Sequence, residues 1–238
     1  KEAAIVLTAL QGQLEAIPHV RSNTMDGTLL TQRARFSRER IWDAIHHRYL
    51  APRIEWILQD LSRAAPLGPT APELVSLLYI HYVLRDRLSW VVVTDVIWEM
   101  WKEGKRLVSL VDILAILDTA PEEDRRRAAS WTAASRRKLA GSILTALRDF
   151  GLLKGSQRKQ IVPPMLPLST ALHIVRLLVW EGLQGAEIIS DKIWRIFLRT
   201  PEDVADLLLR LSQAGHLKFE RAGQTVMLDA PLEWKEAR

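Results

Sequence analysis

The sequence predicts a mainly α-helical fold with two winged-helix-like units, each a helix followed by a β-hairpin. Two observations support this prediction. Apolar residues recur at helical spacing through most of the 238 residues. A pattern of helix, glycine, strand, polar turn and strand occurs at residues 132–165 and again at residues 200–231. That order of elements is typical of the second half of a winged helix, and only these two hairpins read as β-sheet.

Proline and glycine divide the chain into separate elements. The apolar spacing predicts helices at residues 2–17, 38–62, 72–86, 90–103, 109–117, 121–129, 132–150, 168–181, 186–198 and 200–214. We expect the first helix to stop near Pro18 and the second to break just before Pro52, because proline cannot continue a helix. Residues 163–167 contain three prolines and read as a semi-rigid connector. The connector predicts an N-terminal helical domain at 1–163, ending in the first winged-helix-like unit, and a C-terminal domain at 164–238 with the second.

Composition limits the possible functions. The chain is 48% hydrophobic and 26% charged, which is typical of a folded protein. Its net charge of +5 and pI of about 9.7 favour acidic partners such as nucleic acid, although only moderately. Cysteine is absent, which excludes a disulfide framework, a thiolate zinc site and a cysteine nucleophile, and makes a reducing cytoplasm the expected location. No apolar run approaches the roughly 18–20 residues that cross a bilayer, so we expect no membrane span.

The helix at 132–150 has two contrasting faces. Its predicted core face consists of Leu139, Ile143, Leu147 and Phe150. Its outer face carries Arg137, Lys138, Gly141, Thr145 and Arg148. A helix that enters a DNA groove needs cations for phosphates, short polar groups for base edges and small residues for close approach. An ordinary solvated helix with a basic surface fits equally well, so this helix alone leaves both interpretations open.

Two further basic segments bear on contact with DNA. The turn at residues 154–159 adds three cations at the predicted wing, which favours DNA over the solvated surface. Four arginines within residues 33–40 form an arm that leads into a helix, which suits a minor-groove or phosphate contact; a solvated connector explains them equally. The candidate DNA-binding residues are therefore Arg33, Arg35, Arg38, Arg40, Arg136, Arg137, Lys138, Thr145, Arg148, Lys154, Arg158 and Lys159.

The second helix–hairpin pattern has the opposite charge at its start. Thr200 and Pro201 are typical of a helix start, and Glu202, Asp203 and Asp206 follow within the first turns. Carboxylates at that position repel phosphate. We therefore expect this second unit to be structural or to bind protein rather than DNA.

The sequence contains few residue patterns that indicate catalysis. The sequence contains no HExxH zinc motif, no phosphate-binding glycine loop and no GxSxG nucleophile elbow. Asp229, Glu233 and Lys235 resemble a fragment of a nuclease motif, but such triplets are frequent by chance. We expect no enzymatic activity, no metal and no cofactor.

Residues in two parts of the chain carry a family resemblance. Residues 31–41, followed by 47–50, resemble a Leu-Leu-Gln-Arg run with a Ser/Thr-x-x-Arg helix start and a short Arg-Leu ending. Residues 131–139, closing with 147–153, resemble a second block of the same family. The family is BrxA, from the BREX bacteriophage-exclusion systems, and the resemblance spans roughly residues 20–230. It implies a non-enzymatic, DNA-binding accessory protein that works beside a methyltransferase and other BREX proteins.

The sequence therefore predicts a protein that binds double-stranded DNA without catalysis, contacting phosphates through a basic helix and wing. The alternative is a protein-interaction scaffold within the defence complex, whose basic surface is incidental. Saturable duplex binding that weakens steeply with salt separates the first from the second. A nuclease subunit would need a carboxylate cluster to hold its metal, which the sequence does not offer.

Overall fold

The computed structural model describes residues 1–31, 34–51, 53–119, 131–156, 158–222, 225–231 and 234. The protein is mainly α-helical with small antiparallel sheets, which confirms the predicted fold class. The chain divides into two compact units, each with its own core. Unit 1 comprises residues 1–85 and 166–173, and unit 2 comprises residues 86–165 and 174–238.

Unit 1 begins with two helices where the sequence predicted one. Helix α1 spans Glu2–Leu10 and ends at Gln11 and Gly12, which both adopt left-handed backbone conformations. A short 3₁₀ turn precedes α2, which spans Ile17–Asp26. The expectation that Pro18 stops a helix was wrong, because Pro18 lies in the first turn of α2. A proline at that position needs no N–H partner and favours the start of a helix.

The break predicted before Pro52 is confirmed. Helix α3 spans Arg35–Ile45 and continues as a π-helical turn at His46–Leu50, and α4 begins only at Glu55 and runs to Ala64. Its buried residues include Trp56, Ile57 and Leu61. A 3₁₀ turn at Ala65–Leu67 leads to α5, which spans Pro72–Arg85.

A buried polar network joins three helices of unit 1. His173 lies in the second turn of α10, which spans Leu168–Glu181, and its Nδ1 is 2.8 Å from Asp60 Oδ2 in α4. His173 Nε2 is 3.0 Å from Nε2 of His81 in α5. Since the carboxylate only accepts, Nδ1 of a neutral His173 donates, and its Nε2 accepts the proton of His81. Burial, then the neighbouring His173 and Arg85, hold the pKa of His81 well below its usual 6.5.

Unit 2 begins with a long helical segment. Asp86 caps it by accepting a hydrogen bond from the Ser89 backbone N–H at 2.8 Å. The segment consists of α6 at Arg87–Val91, a π-helical stretch at Val92–Ile97 and α7 at Trp98–Lys102. Strand β1 at Leu107–Val108 and helix α8 at Leu110–Thr119 follow. The helix predicted at 121–129 lies outside the described residues.

The first helix–hairpin unit closes into a small sheet. Helix α9 spans Ala133–Asp149, β2 spans Leu153–Lys154 and β3 spans Lys159–Ile161. The antiparallel order is β1-β3-β2, with Leu107 opposite Gln160 and Leu153 opposite Ile161. Strand β1 was not predicted, because two residues are too short to show alternation.

The C-terminal elements form the second helix–hairpin unit. After α10 come α11 at Ala186–Ser190 and a 3₁₀ segment at Lys192–Phe197. Helix α12 spans Pro201–Gln213, and β4 at Lys218–Ala222 pairs with β5 at Thr225–Asp229. One border between the compact units lies between residues 165 and 166, inside the proline-rich segment. A division into domains at 1–163 and 164–238 stays a prediction.

Candidate nucleic-acid interface

Helix α9 has defined ends that fix its register. The Thr132 Oγ1 accepts a hydrogen bond from the Ser135 backbone N–H at 3.2 Å, so Thr132 caps the helix. At the other end the Gly151 N–H bonds the Arg148 carbonyl at 3.0 Å, and the Leu152 N–H bonds the Leu147 carbonyl at 2.9 Å. These paired bonds, with Gly151 at a φ of 85°, form a Schellman motif that closes the helix before the hairpin.

The buried face of α9 is turned slightly from the predicted one. Ile143 and Leu147 are buried as expected, but Leu139 and Phe150 are only half-buried. Ala140 and Leu144 complete the buried face instead. The prediction chose the larger apolar residues, whereas the helix buries the small Ala140 completely.

The outer face of α9 is cationic, as predicted. Arg137, Lys138, Thr145 and Arg148 are exposed. The side chains of Arg137 and Lys138 make no hydrogen bond or ion pair with the residues that the structure describes. No acidic residue lies in the first turn, so the positive end of the helix dipole is not offset there. Arg137 and Lys138 can therefore bind an anion without giving up a contact to a described residue.

Gly141 lies in the middle of this cationic face. A Cβ added at Gly141 meets no described atom within 4 Å, so packing against the described residues does not require glycine there. Glycine in a helix interior is less stable than alanine by roughly 0.5–1 kcal/mol. The position therefore suits close approach of a partner to the helix backbone.

Three other predicted residues of α9 already have local contacts. Arg148 binds its neighbour Asp149, with Nη2 3.0 Å from Oδ1. The Thr145 hydroxyl donates to the Gly141 carbonyl at 2.8 Å. Arg136 is half-buried in the first turn and also has an interaction within the protein. Arg148 and Thr145 remain exposed, but a ligand must compete with these bonds.

The wing is built on a glycine turn. Gly155 has a φ of 91°, and a Cβ there would collide with the Arg158 carbonyl, so only glycine fits. Lys154 and Arg158 are exposed, and their side chains bind no described residue. Together with Arg137 and Lys138 they give this helix–hairpin unit four unengaged cations, which we name the basic surface.

Lys159 does not belong to the basic surface. It was predicted as a cation at the wing tip, but its side chain is buried and its Nζ donates to the Gly155 carbonyl at 3.2 Å. Alternation along β3 explains the difference, because Lys159 points to the same side as buried Ile161. Counting back two residues from Ile161 would have found this from the sequence.

The predicted arginine arm in unit 1 is partly engaged. Arg33 lies outside the described residues. Arg35 forms an ion pair with Glu39, Nε to Oε1 3.2 Å, on the exposed side of α3. Arg38 donates through Nε and Nη2 to the Met25 carbonyl, at 3.1 and 2.7 Å, and thereby holds the end of α2. Arg40 is exposed, with its guanidinium 5.8 Å from the ring centre of Phe36.

Two cations near β1 were not identified from the sequence. Lys105 is exposed and lies 2.8 Å from a carboxylate oxygen of Glu103. Arg106 stacks 3.9 Å from the Trp101 ring and donates to the Trp101 carbonyl at 2.9 Å. The Arg106 carbonyl accepts a hydrogen bond from the Ile161 N–H of β3 at 2.8 Å, a contact that no local sequence pattern reveals. Both side chains are already bound locally.

The second helix–hairpin unit differs in charge, as predicted. A reciprocal capping box forms between Thr200 and Asp203 at the start of α12. Glu202 and Asp206 are exposed on its first turns. The buried face of α12 consists of Val204, Ala205, Leu208 and Leu211, and Leu207 is half-buried.

The described residues therefore define a mainly α-helical protein with two helix–hairpin units, the first basic and the second acidic at its helix start. A model of the BrxA family matches residues 2–177, well over half of the chain, and the protein belongs to that family. It is accordingly a component of a BREX phage-defence system. The second helix–hairpin unit lies beyond the matched residues.

A search of curated proteins found no match to the chain. Among the helices that the structure describes, none combines the length and the apolar character needed to cross a membrane.

Proposed function

We propose that this BREX component binds double-stranded DNA through the basic surface and catalyses no reaction on it. The observation that carries the proposal is the set of four exposed cations on α9 and the wing, none bound to a described side chain or backbone group. In a winged helix these two elements are the ones that reach the groove and the adjacent phosphates. In unit 2 the elements follow the order helix, strand, helix, helix and hairpin, and the sheet order is β1-β3-β2. Both orders support the assignment of a winged helix.

The first test is a fluorescence-anisotropy titration of a short random-sequence duplex. We expect saturable binding, and we expect the duplex to remain intact after incubation with Mg²⁺. A flat titration would contradict the proposal and favour the scaffold. Shortened DNA, which is lost when the metal is chelated, would contradict the non-catalytic part.

One observation supports a second candidate function, a protein-interaction scaffold, for the second helix–hairpin unit. Beside α12 lies an open groove of about 580 Å³ that the exposed Leu209 lines together with three acidic residues and one basic residue: Glu202, Asp206, Glu220 and Arg221. Apolar surface framed by carboxylates suits contact with a basic protein segment better than contact with DNA. The two candidate functions can therefore belong to the two helix–hairpin units, both of which lie in unit 2.

Replacing Arg158 and Lys159 one at a time tests the correction at the wing. Arg158→Met removes an exposed cation, and we expect duplex affinity to fall several-fold, since each phosphate contact contributes separately. Lys159→Met keeps the buried stem and loses only the bond to Gly155, so affinity should change less than about twofold. Equal losses in an anisotropy titration would show that Lys159 reaches DNA after all.

Gly141→Ala should separate folding from binding. We expect the free energy of unfolding to rise by about 0.5–1 kcal/mol, because alanine favours the helix and the added methyl group meets open space. We expect duplex affinity to fall several-fold, because the methyl group lies where DNA would approach. Ser142→Ala, next in the chain and also exposed, is the control and should leave affinity unchanged. A stabilised variant with undiminished affinity would contradict close approach at Gly141.

A further inference from the structure

Unit 1 contains an open cavity of about 670 Å³ between α2 and α3. That volume lies within the range of about 300–1,000 Å³ that is usual for small-molecule sites. The cavity is lined by residues of both helices, of the π-helical turn and by Arg53. Nothing in the duplex proposal uses this cavity.

Three arginines give the cavity a cationic rim. Arg21, Arg35 and Arg53 all line it. The Arg35 side chain forms an ion pair with Glu39. The side chains of Arg21 and Arg53 bind none of the described residues. One guanidinium group can donate two parallel hydrogen bonds to two oxygen atoms of a phosphate, which is why arginine is frequent in phosphate sites. Two of the three arginines are therefore available to an anion.

The backbone at Arg53 is strained. Its φ is 51°, in the left-handed region, although it is not glycine. Such a conformation is less stable by roughly 1 kcal/mol or more and clusters at functional sites. A bond from the Arg53 N–H to the Leu50 carbonyl at 3.1 Å holds it there, after the end of the π-helical turn. The fold thus keeps this arginine at the cavity.

The other residues that line the cavity suit a ligand that carries an apolar body and a hydrogen-bond donor in addition to a phosphate group. Ile17, Pro18, Met25 and the edge of the buried Trp42 supply apolar surface. The Asp43 carboxylate also lines the cavity and binds none of the described arginines. A ligand that satisfies all three features has an anionic group, an apolar body and a donor for a carboxylate.

We propose that this cavity binds a nucleoside monophosphate. The phosphate lies against Arg21 and Arg53, the base lies against Met25 and Trp42, and Asp43 accepts from a sugar hydroxyl or an exocyclic amino group. The site is independent of the duplex-binding proposal, since none of the four cations of the basic surface lines it.

The test is a calorimetric titration of the whole chain with the four nucleoside 5′-monophosphates, their nucleosides and inorganic phosphate. We expect at least one monophosphate to bind saturably and its nucleoside and free phosphate to bind at least about tenfold more weakly, because each satisfies only half of the site. No saturable binding by any monophosphate, or equal affinity for inorganic phosphate, would overturn the proposal.

Two variants locate the site. Arg21→Gln should weaken monophosphate binding by about tenfold, the value of one charge-assisted bond. Arg53→Gly removes the other cation and relieves the strained backbone, so binding should fall while thermal stability is kept or rises. Arg137→Gln with Lys138→Gln is the matched control, which should lose duplex affinity and keep monophosphate binding. Undiminished binding by Arg21→Gln or Arg53→Gly, or loss in the control, would contradict the assignment.

Discussion

Arg137→Glu combined with Lys138→Glu is expected to lower duplex affinity by roughly 100-fold or more, because two phosphate contacts become two repulsions. Both side chains are exposed and bind no described residue, so the change should leave the fold intact. Exposed charges contribute little to stability. The thermal midpoint should therefore stay close to that of the unchanged protein while binding nearly disappears.

The reason for so large an effect is local charge. At physiological ionic strength the screening length is about 8 Å, so only charges close to a phosphate count strongly. The net charge of +5 is modest and acts weakly at such range. The sign of the few residues on the outer face of α9 therefore dominates binding.

Glu202→Lys with Asp206→Lys is the matched control on the second helix–hairpin unit. It changes the net charge by the same amount in the opposite direction, also at exposed positions of a helix start. We expect affinity to stay the same or to rise slightly. A loss of affinity in this variant, together with little effect of the Arg137 and Lys138 reversal, would place the DNA on α12 and contradict our assignment.

His173→Ala is expected to lower the free energy of unfolding of unit 1 by about 2–4 kcal/mol, because it leaves buried polar partners unsatisfied and opens a cavity. Asp60 would keep only its exposed partner Arg63, 3.3 Å away, and His81 would lose the acceptor for its Nε2 proton. Trp56 lies 5.1 Å from the His173 ring and provides a fluorescence signal in a urea titration. His47→Ala, at an exposed position, should change stability by less than about 0.5 kcal/mol.

The same network predicts a direction for the pH dependence of stability. Burial lowers the pKa of His81 in the folded protein, so the unfolded chain takes up this proton first as pH falls. The contribution is complete above the usual His81 value of 6.5 and decreases as pH falls below it, toward the lowered folded pKa. The urea midpoint should therefore decrease from neutral to mildly acidic pH. An unchanged midpoint across that interval would show that the folded and unfolded states take up the His81 proton equally, and would contradict a lowered pKa in the folded protein.

Periodicity predicted the helices well, and local contacts explain where it failed. The basic outer face of α9 and the acidic start of α12 follow directly from residue spacing, because a helix fixes which side chains share a face. Pro18 was misjudged since a proline can end one helix or begin the next. Lys159 was predicted wrongly because it was counted as a residue of the turn. It is the first residue of β3, and the alternation of that strand turns its side chain to the buried side. The engagement of Arg38 with the Met25 carbonyl depends on how α2 and α3 pack, which no local pattern reveals.

The salt dependence of duplex affinity tests the central claim most directly. Neutralising each phosphate changes the logarithm of the association constant by about −0.9 per logarithm of salt, so four unengaged cations predict a slope of about −3 to −4. Replacing Arg137 and Lys138 with glutamine should flatten the slope by about 2. A slope close to zero, or one that the two replacements leave unchanged, would contradict DNA binding through α9 and its wing.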